Sequence, residues 1–233
     1  MSELPLVTSQ PTPPSTWHMY RAMVGIGILC GLLIVGVFEL TRPIIERNKA
    51  EALQRAIFQV LPDATSSKTF RLEGEDAFVL EEDKADPAQV VHAGYDASGR
   101  LVGIAIEAQG MGYQDVIHVI YGYSFEEDAV VGIRVLETKE TPGLGTRIET
   151  DPDFLKNFER LDVRLTDDLS AVANPIEFVK HGEKEQPWQV DGITGATISS
   201  RAIANILGAS TAYWIPRVRR GLDDFRVSGG EAG

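Results

Sequence analysis

The chain has 233 residues, of which 34 are acidic and 22 basic, for a formal net charge of −12. Binding to nucleic acid requires a basic surface, so this balance argues against it as a partner. Cys30 is the single cysteine, which excludes an internal disulfide and any iron–sulfur cluster held by this chain's thiolates alone.

Pro5, Pro11, Pro13 and Pro14, interspersed with Ser and Thr, predict a disordered tail over residues 1–16. The stretch 22–38 is free of charge; at about 1.5 Å per residue it reaches roughly 26 Å, the lower limit for crossing a bilayer. With Trp17, Tyr20 and Leu40 at its edges, a transmembrane helix is expected over 17–41. A cleaved signal peptide is the alternative, but the run is longer than an h-region and no Ala-x-Ala site directly follows it in residues 39–48. Arg42, Arg47, Lys49 and Arg55 follow the span while only Arg21 precedes it closely, so the positive-inside count places the rest of the chain in the cytoplasm. Leu53, Ala56, Ile57, Val60 and Leu61 form an apolar stripe ending at Pro62, which predicts a stalk helix over 42–62.

A soluble domain is expected over 63–222 and a short tail over 223–233. Within the domain, the runs Ala77 to Leu80, Val90 to Tyr95, Leu101 to Ala108, Val116 to Tyr123 and Val130 to Leu136 read as strands separated by turn residues. A short helix over Asp151 to Arg160 is entered through an Asp-Pro pair, and Ile203, Ile206, Leu207, Ser210 and Trp214 mark one face of a longer helix. Together they predict an α+β fold, an antiparallel sheet with packed helices and a single core.

Two motifs stand out. The first, Glu137 to Thr146, contains Glu140-Thr141-Pro142-Gly143-Leu144-Gly145 directly after a strand. Pro142 fixes one dihedral and the glycines free others, giving either a shaped binding loop or a tight hairpin connection. Leu144 offers an apolar contact and Thr141 a hydroxyl, as a flat, partly polar ligand would require. The second motif, Asp191-Gly192-Ile193-Thr194-Gly195-Ala196-Thr197, puts Thr197 just before the long helix, with Ser199 and Ser200 as expected caps. There the free N–H groups and the positive end of the helix dipole favour a phosphate, and Gly195 allows close approach. An Asp-Gly turn followed by a Ser/Thr-rich helix cap accounts for the same residues without a ligand.

The spacing Asp-x-x-Thr-Gly-Ala-Thr resembles the acceptor motif of bacterial flavin transferases, which move FMN from FAD onto the last hydroxyl as a phosphoester. Taken with Glu140 to Gly145 and with Gly110-Met111-Gly112-Tyr113 upstream, it makes the chain resemble the FMN-binding G subunit of the Rnf electron-transport complex, a relative of the C subunit of the sodium-translocating NADH:quinone reductase. That resemblance runs from the membrane segment to the final helix. It implies an FMN-binding domain at 63–222 with covalent FMN on Thr197, and a flavin-contacting loop that includes Glu140, Thr141, Leu144 and Gly145. Thr194, Gly195, Ala196 and Asp191 belong to the acceptor motif, where Asp191 orients Thr197, binds the transferase's metal, or caps the turn. The implied partners are the other membrane subunits of an Rnf-type complex and a flavin transferase. The implied placement is the cytoplasmic membrane with the domain outside the cytoplasm, which conflicts with the charge count. The implied role is a relay of electrons between redox subunits, coupling ferredoxin and NAD oxidoreduction to ion movement.

Other chemistries find little support. His18, His92, His118 and His181 are scattered without a second ligand at helical spacing, against a zinc site. No Gly-x-Ser-x-Gly elbow is present. Lys180 and Trp188 precede the second motif and are candidates to stabilise a reduced ring and to stack on it, respectively, against ordinary exposure and packing. A flavin-based membrane redox sensor and a flavin-free structural subunit are the alternatives from other classes.

Overall fold

The computed structural model describes residues 16–81 and 87–227. The expected N-terminal tail therefore lies outside the described residues except for Thr16, and so does 228–233 at the other end. Contacts divide the chain into two units, 1–50 and 51–233.

Helix α1 runs from Thr16 to Val60, with Pro43 inside it. Among the described residues it is the one helix long and apolar enough to cross a membrane. Its large apolar side chains from Trp17 to Leu40, including Leu29, Leu32 and Phe38, are exposed to their surroundings, as a helix requires whose burial is supplied by lipid rather than by protein.

The second unit holds a seven-stranded antiparallel sheet in the order β2-β1-β3-β4-β5-β6-β7. Its strands are β1 (Ser66–Glu73), β2 (Ala77–Leu80), β3 (Val90–Tyr95), β4 (Leu101–Met111), β5 (Val116–Ser124), β6 (Ala129–Glu137) and β7 (Leu161–Asp162). Period-two alternation separates the two faces. Ile117, Val119, Tyr121 and Tyr123 of β5, with Ile104 and Ile106 of β4, enter the main core. Ala105 and Ile120 point the other way, onto Ala56, Ile57, Val60 and Leu61 at the end of α1.

Short elements complete the unit: α2 (Arg147–Thr150), α3 (Pro152–Leu155), a 3-10 turn at Lys156–Phe158, and the parallel pair β8 (Glu177–Val179) and β9 (Gln189–Asp191). Asp151 caps α3 by accepting from the Phe154 N–H at 3.2 Å. The long helix α4 (Thr197–Arg220) covers the main core with Ile203, Leu207, Ile215 and Val218, all essentially inaccessible. Each such side chain contributes about 1.5–3 kcal/mol by burial. Tyr121 and Ser210 hydrogen-bond through their hydroxyls at 2.8 Å, tying β5 to α4.

The structure departs from the sequence expectation in several places, among them the helix expected over 151–160, which is the four-residue α3 followed by a 3-10 turn. Strand β4 continues to Met111, past Ala108. Strands β1, β7, β8 and β9 are additional to the five expected. A further helix α5 (Leu222–Val227) overlaps the segment 223–233 expected as a tail, and its Phe225 is fully buried against Phe70 and Phe78, so the folded core extends beyond residue 222.

Candidate functional site

The two sequence motifs meet in space. After β6, the Thr141 carbonyl accepts from the Leu144 N–H at 3.2 Å and the Thr146 N–H at 3.3 Å, and Thr146 Oγ1 accepts from the Gly143 N–H at 3.0 Å. This closes the loop into a compact turn that leaves Leu144 54% exposed. Arg147, at its end, donates to the Thr194 carbonyl at 2.9 Å and to the Asp151 carboxylate. One guanidinium thus holds the first motif to the second. Burial pushes the Asp151 carboxyl up, but hydrogen bonds from the Phe154 N–H and from Arg147 outweigh it and hold the group below the usual carboxylate range.

Glu140 makes the second connection. It is 3% exposed; Oε1 accepts from the Tyr113 N–H at 2.7 Å and the Gln114 N–H at 3.0 Å, and Oε2 accepts from the Ser199 hydroxyl. The β4–β5 turn, the first motif and the start of α4 are therefore joined at one carboxylate. A Cβ on Gly112 would collide with Oε1, and one on Gly145 would lie 2.6 Å from Oε2, so both glycines are needed for the carboxylate to sit there.

On the other side, the second motif turns through Gly195 at φ +86°, a conformation glycine adopts at little cost. The Ala196 N–H bonds to the Ile193 carbonyl, and α4 begins at Thr197 with Ala196 as an N-cap that offers no side-chain bond. Ser199 and Ser200, expected as caps, instead lie inside the first turn and are buried. Ser200 accepts from the Ile193 N–H and donates back to the Ala196 carbonyl at 2.9 Å, while Ser199 serves Glu140. Because hydroxyls at those positions face inward, the first-turn N–H groups have no side-chain cap, and no acidic residue occupies the first turn. Such an end is disposed to receive an anion.

A cleft of about 400 Å³ opens here, lined by Tyr113, Glu140, Thr141, Leu144, Gly145, Gly195, Ala196, Thr197, Ile198 and Ser199. Of the residues singled out in the sequence, Glu140, Thr141, Leu144, Gly145, Gly195, Ala196 and Thr197 share this cleft. Thr194 and Asp191 do not line it. Thr194 lines a second cleft of about 340 Å³ on the other side of Thr197, together with Lys180 and His181. Asp191 faces a small depression of about 130 Å³ beside Arg147 and Asp151; its Oδ1 accepts from the Gly182 N–H at 2.7 Å and its Oδ2 lies 3.4 Å from His181 Nδ1. Trp188 lines none of these three clefts. No local signal in the sequence marks Arg147 or Asn157, and Ser199 reads there only as a cap, because the partners of all three are distant in the chain. Tyr113 stands in the sequence beside its glycines but without a role.

A cavity of about 510 Å³ lies elsewhere, between α4 and β4 beside His118 and Trp214, and holds none of the motif residues. Among the described residues no cluster of His, Cys, Asp or Glu has the arrangement of a metal site. The cleft beside Thr197 has the donor set a flavin mononucleotide needs. Leu144, Ile198 and Tyr113, which are 54%, 55% and 61% exposed, offer apolar surface to a ring, Thr141 offers a hydroxyl, and the uncapped helix start suits a phosphate.

The fold and this cleft define an FMN-binding domain, and residues 112–210 match the family model of that description. The fold is similar to that of NqrC from Shewanella oneidensis (TM-score 0.53, 20% identity, covering 80% of this chain and 100% of that one). It is also similar to that of the C subunit of the Na(+)-translocating NADH-quinone reductase from Parabacteroides distasonis (TM-score 0.57, 17% identity, 74% and 94% covered). In sequence, the chain is 30% identical over 191 residues to the G subunit of the ion-translocating oxidoreductase complex of Methanosarcina acetivorans, covering 82% of this chain and 90% of that one. To the corresponding G subunit of Shewanella piezotolerans it is 29% identical over 215 residues, with 84% and 91% covered. The chain belongs to the G-subunit family of the ion-translocating oxidoreductase complex.

Proposed function

We propose that this protein is a membrane-anchored electron-transfer subunit of an Rnf-type complex, carrying FMN covalently through a phosphoester on Thr197. The observation that carries this reading is the position of Thr197: exposed, at the first residue of α4, and in one cleft with Thr141, Leu144 and Gly145. When bound, FMN supplies the electron-accepting and electron-donating chemistry, and the protein supplies retention and orientation. Thr197 Oγ1 forms the new bond to the flavin-side phosphorus of FAD as the anhydride P–O bond breaks, AMP leaves, and the hydroxyl proton is lost to the transferase's base. A threonine hydroxyl is a weak nucleophile, so the reaction requires that enzyme. In the modified protein Leu144 and Ile198 would offer apolar surface to the ring, Thr141 would offer it a hydroxyl, and the uncapped start of α4 would serve the phosphodiester.

The partners in this reading are the other redox subunits of an ion-translocating complex, which pass electrons between ferredoxin and NAD. The relatives named as G subunits are covered nearly end to end, whereas the likeness to the quinone-reductase C subunits is one of fold at 17–20% identity, and this favours the Rnf-type assembly. We place the soluble domain outside the cytoplasm, where a covalent tether retains a cofactor that cannot easily be replaced; protease accessibility in intact spheroplasts tests that placement.

Intact-mass analysis of the protein from its own membranes, beside a Thr197→Ala variant, tests the attachment. The wild type is expected to be heavier by FMN less one water and fluorescent in a denaturing gel, and the variant neither. A wild type that is unmodified and dark in the presence of an active transferase would return Thr197 to the role of a helix-start residue.

A further inference from the structure

The second cleft beside Thr197 carries an inference that rests on the attachment reading and deepens it. Its wall includes Phe178 of β8, Lys180 just after that strand, and Thr197. Arg201 lies one helical turn after Thr197 on α4, and its guanidinium stacks over the Phe178 ring at 4.9 Å from the centroid. Side chains four residues apart on a helix are neighbours, and helical side chains lean toward the N-terminus, so Arg201 extends toward Thr197 rather than away from it.

In a chain with acid in excess, most exposed cations are expected to find a carboxylate. Arg201 and Lys180 have none among the described residues: Arg201 makes only the ring contact, and Lys180 only a backbone bond through its carbonyl. Both are exposed. His181, on the same wall, is by contrast turned to the Gly192 carbonyl and to Asp191. Glu183 is the carboxylate that lines the cleft, and it is not paired with either cation in the ion pairs of the described residues. Lys180 thus shares a cleft with Thr197, and Arg201, set over Phe178 of the same wall, is a second cation without a carboxylate partner among the described residues.

We propose that Arg201 and Lys180 bind the phosphodiester monoanion formed on Thr197, with Phe178 as the shelf that orients the guanidinium, so that the phosphate is drawn into this cleft and the ring is left to the Leu144 side. A guanidinium and an ammonium next to one phosphate make charge-assisted hydrogen bonds, which are stronger than neutral ones. The role is one of positioning and of selection for a phosphorylated flavin over one that lacks phosphate.

The test uses the full chain in detergent and two probes. In a Thr197→Ala background, which cannot be modified, FMN and riboflavin are titrated separately. FMN is expected to bind at least about tenfold more tightly than riboflavin, and the Arg201→Gln/Lys180→Gln double variant to bring the two within about twofold. In the flavinylated chain, the 31P resonance of the phosphodiester is expected to move in the double variant and to be largely restored when Lys180→Arg replaces Lys180→Gln. A riboflavin affinity equal to that of FMN in the Thr197→Ala chain, or a preference that survives the double substitution, overturns the proposal. If free flavin binds too weakly to measure, the resonance decides, and an unmoved signal overturns it. The two readings fail separately: absence of added mass at Thr197 sinks the attachment, whereas added mass with an unmoved resonance sinks only the role of Arg201 and Lys180.

Discussion

Asn157 meets Asp191 as a neighbouring strand would. Its Oδ1 accepts from the Asp191 N–H at 3.0 Å and its Nδ2 donates to the Asp191 carbonyl at 3.1 Å. The same amide donates to the Phe154 carbonyl at 2.9 Å and accepts from Lys184 Nζ at 3.0 Å. Strand β9, which opens the second motif, is therefore held between β8 and one buried side chain.

Replacing Asn157 by Ala is expected to destabilise the folded unit by about 3 kcal/mol, because the buried Phe154 carbonyl and the Asp191 peptide groups lose the partner that this side chain gives them. Asn157→Asp is expected to be nearly as damaging: a carboxylate accepts from the Asp191 N–H and from Lys184 but donates to neither carbonyl. Chemical denaturation of the purified chain, followed by near-ultraviolet circular dichroism, measures both. An Asp variant as stable as wild type would show that the donated bonds contribute little.

How much of this is legible in the sequence depends on where each residue's partner lies. Strands β2 and β3 have the expected bounds because a short, largely apolar run between turn residues is a local signal. Strand β1 gives no such signal, because Ser66–Glu73 buries only Phe70 fully. Strands β8 and β9 have three residues each, too few for any periodicity, and β9 owes its place to Asn157. The motif residues that line the cleft are visible as motifs. What positions them is not: the bond from Ser199 to Glu140 spans 59 residues, and that from Arg147 to Thr194 spans 47. A serine near a helix start reads as a cap unless the buried carboxylate facing it is known. Local propensity favours the cap, and the tertiary partner overrides it.

The Glu140 and Ser199 pair yields a measurable coupling. Ser199→Ala leaves one carboxylate oxygen without its buried donor, and Glu140→Ala removes the acceptor for three groups, two of them backbone N–H groups. A double-mutant cycle on thermal or chemical unfolding is expected to give a coupling of about 1–3 kcal/mol, the range of a hydrogen bond to a charged group. Glu140→Gln is expected to be milder than Glu140→Ala, since the amide oxygen still accepts from Tyr113 and Gln114, and its nitrogen donates to the Ser199 hydroxyl. Additive single effects would show that the two residues act independently.

Gly145→Ala tests the packing around the same carboxylate. The added Cβ would lie 2.6 Å from Glu140 Oε2, 2.8 Å from its Cβ and 3.0 Å from Ser199 Oγ. The carboxylate has no slack, because both oxygens are already engaged. Relief requires the loop or the start of α4 to shift, at about 1–3 kcal/mol. The FMN content of the purified variant, read by absorbance, is expected to fall with that stability. Wild-type stability and flavin content together would mean that the loop moves freely.

At high pH the tyrosines of the sheet set the limit of stability. Burial pushes the Tyr95 hydroxyl up to about 12 from its ordinary value of 10.0. It also raises Tyr121, against a smaller opposing effect of the Ser210 hydrogen bond, and Tyr123, where the Asp128 carboxylate adds to the increase. Tyr95 donates to the Phe225 carbonyl at 2.7 Å and Tyr123 donates to Asp128 at 2.9 Å, so each folded partner holds the protonated form. For a group whose folded value is raised, the unfolded chain releases its proton first. The stabilising contribution is complete below pH 10 and is lost as pH rises from there through the folded value of about 12 for Tyr95. Between those limits each pH unit removes about 1.4 kcal/mol for each such tyrosine. Absorbance of tyrosinate from these three side chains is therefore expected to appear together with the loss of near-ultraviolet circular dichroism above pH 10. In Tyr95→Phe, which has no proton to lose and forfeits the bond to Phe225, the slope of stability against pH is expected to be shallower. An unchanged slope in that variant would place the alkaline limit in other groups.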